Sequence, residues 1–189
     1  LDGENPAQKR LVIEELLAHH LSMLRVRAQA KSDPAYIIGE DKALKSKFLA
    51  SLAFAPTAAQ SRVVSEIESN LSSGQPMMRP VQGDVGSGKT LVAALSALSI
   101  ISAGYQVAMM APTELLAEQH AKNFTDWLQP LGITVGWLAG KLKGKARTET
   151  LENLQSGSIQ MLVGTHAIFQ EAVHYHTLAL VIIDEQHRF

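Results

Sequence analysis

Apolar residues recur at helical spacing in the first part of the chain. Between residues 5 and 30, isoleucine and leucine return at steps of three or four residues among charged side chains, which predicts an amphipathic helix. Asp33-Pro34 breaks this pattern. A second helix pattern runs from Thr57 to about Leu71. The mixed, charged segment 35–50 indicates a connector that ends in a short helix.

The rest of the chain alternates short apolar runs with helix patterns. The runs are MMRPVQ, QVAMMAP, ITVGWLAG, IQMLVGT and LALVIID, and the intervening helix patterns begin at Lys89, Thr113 and Arg147. Strand–helix alternation predicts an α/β fold with a parallel sheet and helices on both faces. Pro80 is a misfit in the first run, because proline removes one hydrogen-bond donor from a strand ladder.

Composition narrows the possible functions. The chain has 189 residues, of which 46% are hydrophobic and 19% charged, as expected of a globular protein. Its formal net charge of -1 means that any nucleic-acid binding depends on local basic patches. The lack of cysteine excludes disulfides and thiol catalysis. The polar start and the absence of a long apolar span predict a cytoplasmic protein without membrane contact.

A glycine-rich segment, Gly83-Asp84-Val85-Gly86-Ser87-Gly88-Lys89-Thr90, matches the P-loop pattern G-x-x-x-x-G-K-[ST]. Glycines let backbone N–H groups turn toward phosphate oxygens, and the following helix directs its positive end at the same anion. Lys89 adds a charge at the β/γ-phosphates, and the Thr90 hydroxyl is a candidate Mg²⁺ ligand. The sequence therefore predicts a site for ATP and Mg²⁺. The alternative is a glycine turn with an exposed lysine.

Two acidic residues, Asp184 and Glu185, follow the apolar run LALVII. Asp184 can hold the hydrated Mg²⁺, and Glu185 can orient or deprotonate the attacking water. With Lys89, they form the predicted catalytic set. The alternative is a pair of acids that caps a strand end.

Four segments carry a family resemblance. GDVGSGKT, APTELLAEQH, GTHAIF and DEQHRF resemble motifs I, Ia, Ic and II of superfamily-two helicases. FAPTAAQ (54–60) and GWLAGKLKGKAR (136–147) are similar to segments of the RecG family of branch-migration helicases. The resemblance implies a RecA-like motor domain over residues 50–189, preceded by a helical connector over residues 1–49. Pro80 departs from the family, which is aliphatic there.

The resemblance also implies roles for further residues. Gln60 would read adenine, although Thr57-x-x-Gln60 is also a helix capping box. Pro112-Thr113-Glu114 and Gly164-Thr165-His166 would bind DNA phosphates, with helix capping as the alternative. Gln186 and His187 would couple the nucleotide to the DNA site.

Four cations, Lys141, Lys143, Lys145 and Arg147, lie close together in the sequence. We expect about equally that these cations contact duplex phosphates and that they belong to a solvated loop without a binding role.

The family implies ATP hydrolysis coupled to translocation on duplex DNA in the bacterial cytoplasm, at the nucleoid. It implies branch migration of replication forks and Holliday junctions during recombination and repair. The implied partners are branched DNA and two parts of the same polypeptide, a second motor lobe and a wedge domain. The alternatives are a transcription-repair coupling translocase and a nucleotide-gated binding module that does not hydrolyse ATP.

The ends of the sequence predict a piece of a longer chain, because the first residue is not methionine and the last residues follow a strand directly. In the family topology another strand, arriving after motif II, separates the P-loop strand from the strand that ends at Ile183. Because this strand is missing from a C-terminally truncated fragment, we expect exposed strand edges together with marginal stability, a disordered or distorted P-loop, or self-association with another copy. The resemblance implies that the full-length protein is a monomer and that the fragment, without the second lobe, is inactive.

Overall fold

The computed structural model describes residues 10, 14, 17, 21, 22, 35–39, 42–84 and 86–184. The helices are α1 (Lys42–Ser51), α2 (Ala58–Leu71), α3 (Lys89–Ser102), α4 (Glu114–Leu128) and α5 (Gly144–Gln155). The strands are β1 (Gln106–Met110), β2 (Val135–Leu138), β3 (Met161–Gly164) and β4 (Leu178–Ile183). Short 3-10 helices cover Gln129–Leu131 and His166–Phe169.

The strands form one parallel sheet in the order β2-β3-β1-β4. Met110, the last residue of β1, is level with Gly164 of β3 and with Ile183 of β4. Leu138 of β2 is level with Gly164 as well. The carboxyl ends of all four strands therefore meet at one edge, which is the usual ligand side of an open parallel sheet.

Two hydrophobic clusters lie on opposite faces of this sheet. Successive strand side chains point to opposite faces, so Val107 and Met109 of β1 join one cluster and Ala108 and Met110 join the other. The first cluster includes side chains of α1 to α4, and the second includes Leu154 of α5. The predicted parallel sheet with helices on both faces is confirmed.

The first apolar run is a correction to the sequence prediction. Residues 76–84 form neither helix nor strand, so the strand predicted for MMRPVQ is wrong. A strand needs a neighbouring strand to complete its hydrogen bonds. In the family topology the neighbour of this segment would be a strand on the outer side of β4, and no described strand lies there. Pro80 adds to this, because it cannot donate to a ladder. Arg79 instead pairs with Glu66 of α2 at 2.7 Å.

The connector region contributes to the same core. Phe48 of α1 is fully buried, and its ring meets the edge of Trp127 at 5.9 Å between centroids. Helix α1 extends across the predicted boundary between residues 49 and 50, and the division into two domains stays a prediction.

The predicted first helix falls largely outside the described residues. The described positions between 10 and 22 are helical, and Arg10 pairs with Glu14 at 2.8 Å. Within the described part of the chain, the helices are too short or too polar to cross a membrane.

Candidate nucleotide and nucleic-acid site

The glycine-rich turn lies directly before α3. Gly86 and Gly88 have φ angles of 82° and 77°, which residues with side chains rarely adopt. A Cβ atom on Gly83 would lie 2.5 Å from Oγ of Ser87, so this position also favours glycine. Asp84 is exposed beside them, and Val85 lies outside the described residues. The positive φ angles of Gly86 and Gly88 are the backbone conformation for which a phosphate-binding turn uses glycine.

Lys89 points back at its own loop. Nζ donates to the carbonyl oxygens of Gly83 at 2.6 Å and Asp84 at 2.9 Å. Gly88 precedes α3 and offers no side-chain cap to the first turn, where half-buried Thr90 lies. A phosphate would supply an acceptor at this helix end and give Lys89 an anionic partner in place of the carbonyl oxygens. The residues of the turn therefore fit a nucleotide phosphate.

Gln60 connects α2 to this turn. Its Oε1 accepts from the Thr57 N–H at 2.8 Å, and its own N–H donates to Oγ1 of Thr57 at 3.2 Å, which completes the capping box. Its Nε2 donates to the carbonyl oxygen of Ser87 at 2.9 Å. The capping alternative is therefore realised, and adenine reading stays a prediction.

Asp184 is held at the end of β4. Its backbone N–H donates to the carbonyl oxygen of Met110 at 2.9 Å. Its Oδ2 lies 2.7 Å from Nε2 of His120, on α4. Glu185, and likewise Gln186-His187, lie outside the described residues, so their roles stay predictions.

The turn and Asp184 lie at the same edge of the sheet. Helix α3 ends at Ser102, and Tyr105 N–H then donates back to the Ile100 carbonyl oxygen at 3.1 Å, just before β1 begins. So short a connection folds α3 back along β1, and α3 packs against both β1 and β4. The start of α3, with Lys89, therefore faces the carboxyl edge, where Asp184 follows β4.

Parts of both predicted DNA-phosphate motifs line one cleft of about 370 Å³, whereas Thr113 and Gly164 are not among its lining residues. Pro112 and Glu114 contribute from the start of α4, and Thr165 and His166 contribute from the end of β3. Two of the four clustered cations, Lys143 and Arg147, also line the cleft, as do Gly140, Leu142, Ala167 and Gln170. The cleft combines helix starts with basic side chains, as phosphate contacts require.

Several of these residues also have structural partners. Thr113 caps α4, because its Oγ1 accepts from the Leu116 N–H at 3.3 Å. A Cβ atom on Gly164 would collide with the carbonyl oxygen of Leu138, so the close approach of β3 to β2 requires glycine there. The helix-cap alternative for Thr113 is realised, and its hydroxyl hydrogen stays available to an acceptor.

The segment that carries the four clustered cations is partly helical, because α5 begins at Gly144. Lys141 pairs with Glu114 at 2.9 Å, and the hydrogen bond and charge of Glu114 raise the pKa of Lys141 above its usual value. Arg147 donates to Oε1 of Gln170 at 3.3 Å. Lys145 lies 3.7 Å from Glu149, and both side chains are largely exposed.

Sequence reasoning missed His120 and Gln170. His120 ends the segment APTELLAEQH, but no spacing rule connects it to an acid 64 residues away. Gln170 directly follows GTHAIF, and only the fold brings it to Arg147. Contacts of this kind depend on strand order.

Sequence comparison relates this chain to helicases. The family model for DEAD/DEAH box helicases matches residues 57–189. The ATP-dependent DNA helicase RecG of Escherichia coli K12 is 65% identical over 99% of this chain and 27% of its own length. RecG of Haemophilus influenzae is 62% identical over the same shares, 99% and 27%. The chain thus spans about a quarter of the length of these curated relatives, the matched share being 27%.

Structural comparison agrees. A solved structure described as RecG bound to a three-way DNA junction has a TM-score of 0.86 and 40% sequence identity to this chain. The match covers 97% of this chain and 25% of that one. The predicted resemblance to RecG helicases and the RecA-like sheet are confirmed.

Proposed function

This chain belongs to the DEAD/DEAH box helicase family, and from that premise we propose that it is the ATP-binding motor part of a DNA helicase. The whole protein couples ATP hydrolysis to movement on duplex DNA and to branch migration of forks and Holliday junctions. The observation that carries this proposal is the common sheet edge shared by the P-loop end of α3 and by Asp184. Nucleotide hydrolysis needs a phosphate cradle and a metal acid that converge in this way.

Each residue at this edge has a proposed task. The backbone of residues 83–88 surrounds the phosphates, and Lys89 leaves its carbonyl partners to neutralise the β/γ-phosphates. Thr90 and Asp184 would hold Mg²⁺, which would supply positive charge against the phosphate oxygens when bound. Glu185 orients the attacking water and receives its proton. Gln60 reads adenine once the base competes for its amide.

The cleft beside Pro112 and Thr165 is the proposed DNA contact. Its helix starts and the cations Lys143 and Arg147 suit phosphates rather than base edges. Binding would then be insensitive to sequence and would weaken as salt rises. Gln186 and His187 couple this cleft to the nucleotide.

Branched DNA is the proposed substrate because a solved relative is described as RecG bound to a three-way junction. A wedge domain and a second motor lobe, elsewhere in the same polypeptide, complete the enzyme. The second lobe contributes an arginine to the transferring phosphoryl group, and such a residue is worth about 10³–10⁵ in rate. Residues 1–189 alone would therefore hydrolyse ATP negligibly. The full-length protein acts as a monomer at the bacterial nucleoid.

The test uses the full-length protein with Lys89→Met, which removes the charge at the phosphates and keeps the side-chain length. We expect DNA-stimulated ATP hydrolysis and junction unwinding to fall by at least about a hundredfold, since this lysine serves the transition state. Lys47→Met, at an exposed lysine of α1, is the matched control and should retain both activities.

Glu185→Gln separates the enzyme from a nucleotide-gated binding module. The enzyme should bind ATP and fail to hydrolyse it, whereas a binding module would be unchanged. A full-length protein that binds ATP but shows no hydrolysis with any DNA would contradict the proposal.

A further inference from the structure

His120 contacts the carboxylate that we propose holds Mg²⁺. Its Nε2 lies 2.7 Å from Oδ2 of Asp184, and a carboxylate only accepts hydrogen bonds, so Nε2 is the donor. The side chains are 13% and 26% exposed, so the bond forms where water competes weakly. Among the described residues, the other ring nitrogen, Nδ1, has no hydrogen-bond partner and is buried. Within the described part of the chain, the imidazole of His120 therefore makes its hydrogen bond to Asp184.

Two contacts of Asp184 come from the unit formed by β1 and α4. Its backbone N–H is held by Met110 at the end of β1. Its side chain is held by His120 on α4, the helix that follows β1. A backbone contact leaves side-chain rotamers open, whereas a hydrogen bond to Oδ2 favours those rotamers that point the carboxylate at His120.

We infer that His120 is a positioning residue that orients the Asp184 carboxylate for the magnesium–nucleotide site. The inference rests on the proposed function, since it assigns Asp184 to the metal. An ionised carboxylate has about four acceptor positions, so the bond from Nε2 leaves Oδ2 able to accept from metal-bound water. Partners that orient a metal-binding group in this way typically change metal affinity or activity by about 10- to 100-fold when removed.

The first experiment compares His120→Leu with His120→Gln in the full-length protein. Leucine fills the space without a donor, whereas Nε2 of glutamine can take the place of the imidazole Nε2. For leucine we expect the Mg²⁺ concentration giving half-maximal ATP hydrolysis to rise about tenfold or more. The glutamine variant should stay close to the wild type. His174→Leu, at an exposed histidine, is the control and should match the wild type.

Two outcomes of this comparison would overturn the inference. One is a leucine variant with wild-type Mg²⁺ dependence, and the other is a glutamine variant as impaired as the leucine variant. A change confined to the KM for ATP at saturating Mg²⁺ would also contradict it, since an oriented metal acid acts on Mg²⁺ use.

The second experiment needs neither Mg²⁺ nor nucleotide. It measures the thermal midpoints of His120→Leu, Asp184→Ala and the double variant. If the two side chains are bonded, the shift in the double variant differs from the sum of the single shifts, whereas additive shifts would overturn the inference. This measurement does not depend on hydrolysis. A wild type without ATPase activity would therefore contradict the proposed function and leave the test of the His120–Asp184 hydrogen bond unaffected.

Discussion

Individual residues at the carboxyl edge of the sheet serve the fold as well as the proposed chemistry. Thr113 caps α4 and also belongs to a predicted DNA-phosphate motif, and Gln60 caps α2 and also donates a hydrogen bond to the glycine-rich turn. Gly164 belongs to the other DNA motif, and its missing side chain is required by the neighbouring strand. Substitutions at these positions therefore need a stability measurement beside any activity measurement.

Gly164→Ala tests the packing requirement. The added methyl group would collide with the Leu138 carbonyl oxygen, which belongs to the backbone and cannot rotate away. We expect the free energy of unfolding in urea to fall by about 1–3 kcal/mol or more. Gly39→Ala is the matched control, because nothing lies within 4 Å of a Cβ atom there, and it should change stability by less than about 0.5 kcal/mol.

Because Tyr175 is largely buried, we expect the free energy of unfolding to fall at alkaline pH. Burial raises the pKa of Tyr175, and its hydroxyl donates to the Ile168 carbonyl oxygen at 3.2 Å. The folded state holds the phenolic proton more tightly than the unfolded chain, whose tyrosine pKa is about 10. The resulting stabilisation is complete below that pH and is lost as pH rises above it.

The measurement is the free energy of unfolding in urea between pH 8 and pH 11, roughly two units below and one above the ordinary tyrosine pKa. The wild type should lose stability more steeply above pH 10, about the tyrosine pKa, than Tyr175→Phe. Tyr36→Phe, at a tyrosine that is 49% exposed, should follow the wild type. Parallel curves for wild type and Tyr175→Phe would contradict the prediction.

At the scale of elements, one buried amide joins three segments. Gln106, at the start of β1, is 2% exposed. Its Nε2 donates to the carbonyl oxygens of Leu154 at 2.8 Å and Ile159 at 2.7 Å. Its Oε1 accepts from the N–H groups of His176 at 2.7 Å and Thr177 at 2.9 Å. The amide thereby fixes the end of α5 and the approaches to β3 and β4 relative to β1.

Gln106→Leu would leave the Ile159 carbonyl oxygen and the N–H groups of His176 and Thr177 without this partner. The Leu154 carbonyl oxygen keeps its hydrogen bond from the Gly157 N–H at 3.1 Å. Each unpaired buried group costs about 1–3 kcal/mol, so we expect a loss of at least about 3 kcal/mol in the free energy of unfolding. Gln155→Leu, at an exposed glutamine of α5, is the matched control and should have little effect. A wild-type denaturation midpoint for Gln106→Leu would show that the amide is dispensable.

At the scale of the whole molecule, β4 is an edge strand among the described residues. It pairs with β1 on one side, and its side chains Val181 and Ile183 are 43% and 45% exposed. An uncharged, apolar edge is a template for pairing with another chain. The corrected segment 76–84, which forms no strand, does not cover this edge.

The isolated chain should therefore associate as its concentration rises, and Val181→Lys should reduce that association by placing charge on the edge strand. Sedimentation velocity over a range of concentrations measures this. Leu115→Lys, at an apolar side chain of α4 that is 66% exposed, controls for a general loss of surface hydrophobicity. Equal effects of the two substitutions would remove the edge strand as the cause.

Local patterns in the sequence were enough to predict most elements. Helices α2, α3 and α4 and strands β1 to β4 follow from apolar periodicity and alternation, and the P-loop follows from its glycines and Lys89. These features depend on neighbours in sequence, such as the Thr57–Gln60 capping box. The strand at residues 77–82 was predicted wrongly, because strand formation depends on a partner that local apolarity cannot supply.

Only the tertiary structure decided which distant groups meet. The parallel order β2-β3-β1-β4 brings parts of the two predicted DNA-phosphate motifs to one cleft, pairs Lys141 with Glu114 and places His120 against Asp184. The sequence by itself determined which residues are candidates for binding phosphate and metal, since the spacing of the motifs identifies them. Their partners depend on strand order and register, which are set by packing across the whole sheet rather than by any local segment.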